Sequence, residues 1–126
     1  MKINLNKPPR KFQVGTDYKI TIKDGGTIIL DPDEQITFIA KDGKEYDVVR
    51  KEWGYYATPS VNGRLKGFNF KTALVINKKN QLFIMIVEKD KQDMFFEYIN
   101  TDCQTLLCWL DEPAILNRLQ KEFLPK

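Results

Sequence analysis

Between residues 18 and 88, apolar side chains recur at every second position in short runs, and turn-forming residues separate the runs. That alternation is the signature of half-buried β-strands. Tyr18, Ile20 and Ile22 alternate with Lys19, Thr21 and Lys23, and Asp24-Gly25-Gly26 then offers the positive φ angles of a tight hairpin leading into a return strand at 27–30. Asp31-Pro32-Asp33 and Asp42-Gly43 bracket a strand at 35–40 and introduce another at 45–50. Between Arg50 and Tyr55 the pattern predicts a hairpin turn at 51–54 or a bulge at Gly54, because an unbroken strand would be unusually long. Pro59 ends the following strand, and residues 60–67 read as a loop with an Asn62-Gly63 turn. Residues 71–76 and 81–88 predict a hairpin around Asn77-Lys78-Lys79-Asn80. Its second arm, 82–87, is apolar on both faces and reads as a central, doubly covered strand.

After Glu88 the period changes. Asp90 is placed to cap a helix whose apolar face is Met94, Phe95, Tyr98 and Ile99. Thr101-Asp102-Cys103-Gln104 has capping-box form and opens a turn-rich segment with Leu106, Leu107 and Leu110 inward. Asp111, with Glu112 and Pro113 in the first turn, begins a last helix bearing Ile115, Leu116, Leu119 and Phe123 on one side. Strands first and helices last define an α+β domain. The expected architecture is a single domain over 1–126. Residues 1–15 form an extended arm set by Pro8-Pro9, and 16–88 a mainly antiparallel meander or small open barrel of about seven to eight strands. Two or three helices over 90–124 pack on the sheet.

Composition narrows the function classes. At 126 residues and 42% hydrophobic content the chain matches a globular domain with one core. No run approaches the length of a membrane helix, the basic N-terminus lacks the apolar centre of a secretory signal, and the expected location is the cytoplasm with no membrane contact. The chain contains no histidine, which removes imidazole base chemistry, histidine-activated nucleophiles and nearly all catalytic zinc geometries. Two cysteines, Cys103 and Cys108, are too few for a structural zinc site; on one helix they would diverge by about 140°, so buried free thiols are expected. No metal or cofactor is expected.

The net charge of +3 is unevenly spread: +4 over 1–15, −4 over 16–47, +4 over 48–72 and −1 over 73–126. The two positive blocks favour an anionic partner. Only four of the twenty cations are arginine, however, and without a strongly basic face nucleic acid is an improbable ligand.

The second positive block overlaps the densest aromatic stretch, 50–71, with five rings, five cations and the single acid Glu52. The functional reading places Arg50, Tyr56, Arg64 and Lys66 around a pocket for a phosphorylated or carboxylated ligand, with Trp53 stacking on a base or sugar. The structural reading buries two or three rings as one wall of the core. Strand alternation would put Tyr56 opposite Trp53 and Tyr55, which argues against a single platform. Residues 63–67 are glycine-bounded and cationic, as a phosphate nest is, but read more simply as a loop. Asp31, Asp33 and Glu34 flank a proline as in a solvated turn rather than a cation site, and Lys51, Glu52, Tyr55 and Tyr56 have no pattern of a catalytic centre. Trp109, Leu110, Leu119 and Phe123 exceed a narrow helical stripe; covering the sheet is their simpler use, and a partner surface or a homodimer, through this face or an open sheet edge, is the alternative.

The expected function is a non-enzymatic binding or accessory module. Its ligand is an anionic or sugar-like small molecule, or a partner protein. The alternatives are a small enzyme of nucleotide-sugar or carbohydrate metabolism using carboxylate or tyrosine chemistry and, more weakly, a binder of single-stranded nucleic acid.

Overall fold

The structure, a computed structural model, describes residues 1–15 and 19–126, so Tyr18 and the start of its predicted strand lie outside the described residues. Among the described residues antiparallel strands dominate, in three sheets, none of which closes into a barrel. The chain divides into two compact units, Met1–Thr58 and Pro59–Lys126.

The first unit is all β. Strand β1 (Lys2–Val14) pairs antiparallel with β2 (Ile20–Ile29) to make a two-stranded ribbon. The N-terminal segment is thus a strand rather than a lone arm. The register runs from Lys2 opposite Ile29 to Leu5 opposite Gly26, then resumes with Arg10 opposite Asp24. The intervening Asn6–Pro9 segment bulges out opposite Gly25, which accommodates two prolines that cannot donate to a ladder. Asp24-Gly25-Gly26 makes no hairpin; it lies within β2, where the Asp24 carboxylate accepts the Gly26 N–H at 3.2 Å and, from across the ribbon, the Arg10 guanidinium at 2.9 Å. Gly26 has φ +147°, and a Cβ there would stand 2.1 Å from the Asn4 carbonyl oxygen. Only glycine fits so close a backbone approach.

The second sheet has the order β3-β4-β5, with β3 (Gln35–Ile39), β4 (Glu45–Lys51) and β5 (Gly54–Ala57). It follows the predicted meander. The predicted acidic turn joins it to β2: the Asp33 and Arg50 backbones bond across it at 2.7 Å, and Glu34 accepts the Asp31 N–H at 2.8 Å. Among the described residues this unit buries no apolar side chain; Asp47 is its one buried residue.

The second unit has a core. After a short helix α1 (Arg64–Gly67), strands β6 (Phe70–Ile76) and β7 (Leu82–Glu88) form the predicted hairpin. Its turn is tied by the Asn77 side-chain oxygen, which accepts the N–H groups of Lys79 and Gln81 at 2.9 Å each. Helix α2 (Gln92–Thr101) follows a 3₁₀ turn at Lys89–Lys91, so Asp90 does not cap it. Strand β8 (Thr105–Trp109) then pairs with β6, and helix α3 (Pro113–Phe123) ends the chain.

The sheet order β7-β6-β8 corrects two expectations. Residues 105–109 form a strand, because α2 stops where Cys103 takes φ 57° and the chain returns along β6. That return makes β6 central and leaves β7 at the edge, with Leu82, Phe83 and Ile84 exposed. A register shift between Leu74 and Val75 inserts Leu107 as an extra residue in β8 and turns it to solvent, not inward.

Ala73 and Val75 of β6, Val87 of β7 and Phe95 and Ile99 of α2 form the core, flanked by Phe96, Leu106 and Trp109. The spacing of Phe95 and Ile99, one helical turn, lets α2 cover one face of the sheet. Helix α3 buries none of its residues, and Phe123 is largely exposed.

Candidate functional site

The aromatic stretch divides between the two units. In the first, Lys51–Gly54 is the predicted hairpin turn, with Lys51 opposite Gly54 and Arg50 opposite Tyr55. Gly54 has φ +147°, a value the turn reaches at low cost only with glycine. Because Trp53 sits in the turn rather than in a strand, the alternation that would oppose it to Tyr56 does not apply. Its ring stacks on Tyr56 with centroids 6.0 Å apart and planes inclined by 16°. Directly opposed residues of an antiparallel pair share a face, so Arg50 lies with Tyr55, and Tyr56 with Val49 on the other. The Arg50 guanidinium lies 4.9 Å over the Tyr55 ring and donates to the carbonyls of Gly54, at 3.0 Å, and Lys51.

Arg50 is therefore committed to closing its own hairpin, while Trp53 and Tyr56 present a stacked pair to solvent. Trp53 is 71% exposed, and Tyr55 and Tyr56 are exposed as well. These rings do not wall a core, contrary to the structural reading of the sequence. The Lys51 ammonium is held above its usual pKa, chiefly by its hydrogen bond to the Asp33 carboxylate. It braces the acidic turn instead of standing as a free base.

Arg64 and Lys66 lie in the second unit, on α1. The segment read as a loop is a helical turn because Leu65 is fully buried and its N–H bonds the Ser60 carbonyl at 3.2 Å. Lys66 lines a small hollow of about 110 Å³ together with Lys71, Lys89, Asp111 and Glu112. At the floor, Asp111 is only 4% exposed and accepts from the Thr72 N–H at 2.8 Å and the Lys71 ammonium at 3.2 Å. That ammonium also reaches Glu112 at 3.4 Å and stands 4.8 Å from the centre of the Trp109 ring. Lys66 and Lys89 have no carboxylate within ion-pair distance among the described residues. The pair Lys71–Asp111 joins residues 40 apart in sequence, so no local motif could have announced it.

The remaining unusual surface is the β1–β2 ribbon. Phe12 faces Ile22, Val14 faces Ile20 and Ile3 faces Ile28, while Lys11 faces Lys23, Gln13 faces Thr21 and Asn4 faces Thr27. The ribbon thus has a mainly apolar and a mainly polar face, Ile29 opposite Lys2 lying on the second. On the first, Ile3, Leu5, Phe12, Val14, Ile20, Ile22 and Ile28 are 36% to 64% exposed. Sequence reasoning missed this surface because residues 1–15 were separated from the β core, although their alternation at 10–14 matched that of 20–23.

Among the described residues no cluster of acids and cysteines has metal-site geometry, and no helix is long and apolar enough to cross a membrane. Comparison with protein families, with characterised proteins and with solved structures gives no match to this chain.

Proposed function

We propose that this chain is a non-enzymatic binding module whose main ligand is a partner protein. The observation that carries this reading is the first unit, whose sheets expose apolar and aromatic side chains while, among the described residues, burying none. Scattered apolar residues on a surface are ordinary, but a whole strand-pair face is an interaction surface. An isolated two-stranded ribbon is marginal in water, so partner burial would also supply the stabilisation it lacks. Trp53 and Tyr56 at the hairpin tip add rings of the kind that dominate binding energy at protein interfaces.

An apolar reporter dye tests the reading. The purified chain, on dilution, is expected to bind the dye in the folded state, and Phe12→Lys to remove most of that binding without changing the far-ultraviolet circular dichroism. A folded chain that binds no dye at any dilution would overturn it. A cytoplasmic setting fits Cys103 and Cys108, which are half-buried and not joined in a disulfide, the first between α2 and β8 and the second within β8.

A second reading rests on the two unpaired ammonium groups at the hollow. Lys66 and Lys89 suit a small anion such as phosphate or a carboxylate; the hollow is well below the roughly 300 Å³ of a typical nucleotide or sugar pocket. Inorganic phosphate should then raise the thermal midpoint, and Lys66→Ala should abolish the rise.

A further inference from the structure

We propose that the apolar face of the β1–β2 ribbon seats a second copy of this chain, a proposal that rests on reading the chain as a protein-binding module and names its partner. Strand β2 runs from Ile20 to Ile29 without a break, so its even-numbered positions share one side, and their opposite residues on β1 join them. That side carries Phe12, Val14, Ile20 and Ile22 toward the end where Val14 meets Ile20, and Ile3, Leu5 and Ile28 toward the other end. Taking about 200 Å² for a fully exposed side chain of this size, the seven leave roughly 600 Å² in solvent. The two clusters, parted by the Arg10–Asp24 pair, together equal the upper range for the largest patch on a monomer. Two copies meeting there would bury about 1,200 Å², the lower end of the range for specific, stable complexes.

Charge selects the same occupant. The other face holds Lys2, Lys11 and Lys23 without an acid, with Ile29 its one large apolar side chain, and Lys11 stands directly opposite Lys23, so that face belongs in water. The apolar face holds one charged pair, Arg10 and Asp24, 2.9 Å apart and neutral together. Two identical copies therefore meet without like-charge repulsion. A two-fold axis near the midpoint of the ribbon, where this pair lies, would set each Arg10 against Asp24 of the second copy. A self-complementary patch of this kind is what an isologous dimer requires.

Sedimentation across a concentration series of the full chain, with hydrogen exchange and dye binding on the same samples, tests the proposal. The expected result is a reversible dimer whose ribbon amides are protected. Ile22→Lys should weaken it at least about tenfold, and Thr21→Lys, on the polar face, should leave it intact. Thiol alkylation guards against a misfolded lysine variant. In a Cys103→Ser, Cys108→Ser background, Ile22→Cys should be shielded from an alkylating reagent in the dimer and Thr21→Cys should not. A dimer indifferent to Ile22→Lys, with Ile22→Cys alkylated freely, overturns the proposal. So does a monomer whose ribbon binds dye and exchanges freely, which leaves the partner-protein reading standing. A monomer with a protected, dye-silent ribbon overturns both.

Discussion

The two units use the same antiparallel hairpins and reach opposite outcomes. In Pro59–Lys126 the alternation of β6 directs Ala73 and Val75 onto Phe95 and Ile99, and an amphipathic helix completes the core. In Met1–Thr58 the alternation of β1 and β2 is just as regular, but no helix follows to cover it. A period of two produces an apolar face; it does not supply what lies against that face. Strand pattern alone therefore distributes core burial unevenly along the chain, and the unit without a buried apolar cluster is the one for which association is proposed.

The sharpest way to break this contrast is to truncate one phenylalanine in each unit. Phe95→Ala removes a buried ring in contact with Trp109, centroids 5.6 Å apart, and should cost about 3–5 kcal/mol in chemical denaturation. Phe12→Ala should cost less than about 1 kcal/mol in dilute monomer, its ring being exposed there. Comparable losses would mean that the ribbon is already covered within the chain. Next in size is Asp111→Ala, which strips the buried Thr72 N–H of its acceptor and Lys71 of its nearer carboxylate. A loss of about 2–3 kcal/mol is expected, and Asp111→Asn should recover part of it because the amide oxygen can still accept the Thr72 N–H.

Smaller effects refine the picture. The Thr72 hydroxyl is fully buried with no hydrogen-bond partner, so Thr72→Val should stabilise the second unit by about 1 kcal/mol in the same assay. Smallest is the acidic turn. Glu34 is held below the usual carboxylate range, first by the Asp31 N–H. A depressed carboxylate stabilises above its unfolded value and ceases to do so as the pH falls through its lowered folded value. Titrating the Glu34 carboxyl by NMR should show the depression, and Glu34→Gln should remove that pH dependence. A carboxyl titrating in the usual range would leave the turn without this brace.

The parts of the fold legible in sequence are those set by neighbours along the chain. Asn77–Asn80, Lys51–Gly54 and the 3.6-residue spacing of Phe95 and Ile99 are local signals, and each marks the element it suggested. The parts that were not legible depend on pairing over distance. Pro8-Pro9 looks like a break, yet its segment bulges from a ladder that continues on either side. Residues 101–104 look like a helix start, yet β8 pairs back to β6, and that pairing alone decides which arm of the β6–β7 hairpin is central. The site was legible to a similar depth. Trp53 and Tyr56 were marked by composition, but their stacking needed the turn conformation, and the Lys71–Asp111 pair needed the whole second unit.

The bulge at Asn6–Pro9 and the tight approach of Gly26 to Asn4 also act as an alignment key. A featureless pair of strands can slip by one residue, and every slip inverts which side chains look outward. Here the extra length on β1 meets the one stretch of β2 with two adjacent glycines, so the strands mesh in a single phase. Phe12, Val14, Ile20 and Ile22 are thereby kept on a common side, and the ribbon offers the same face each time the chain folds.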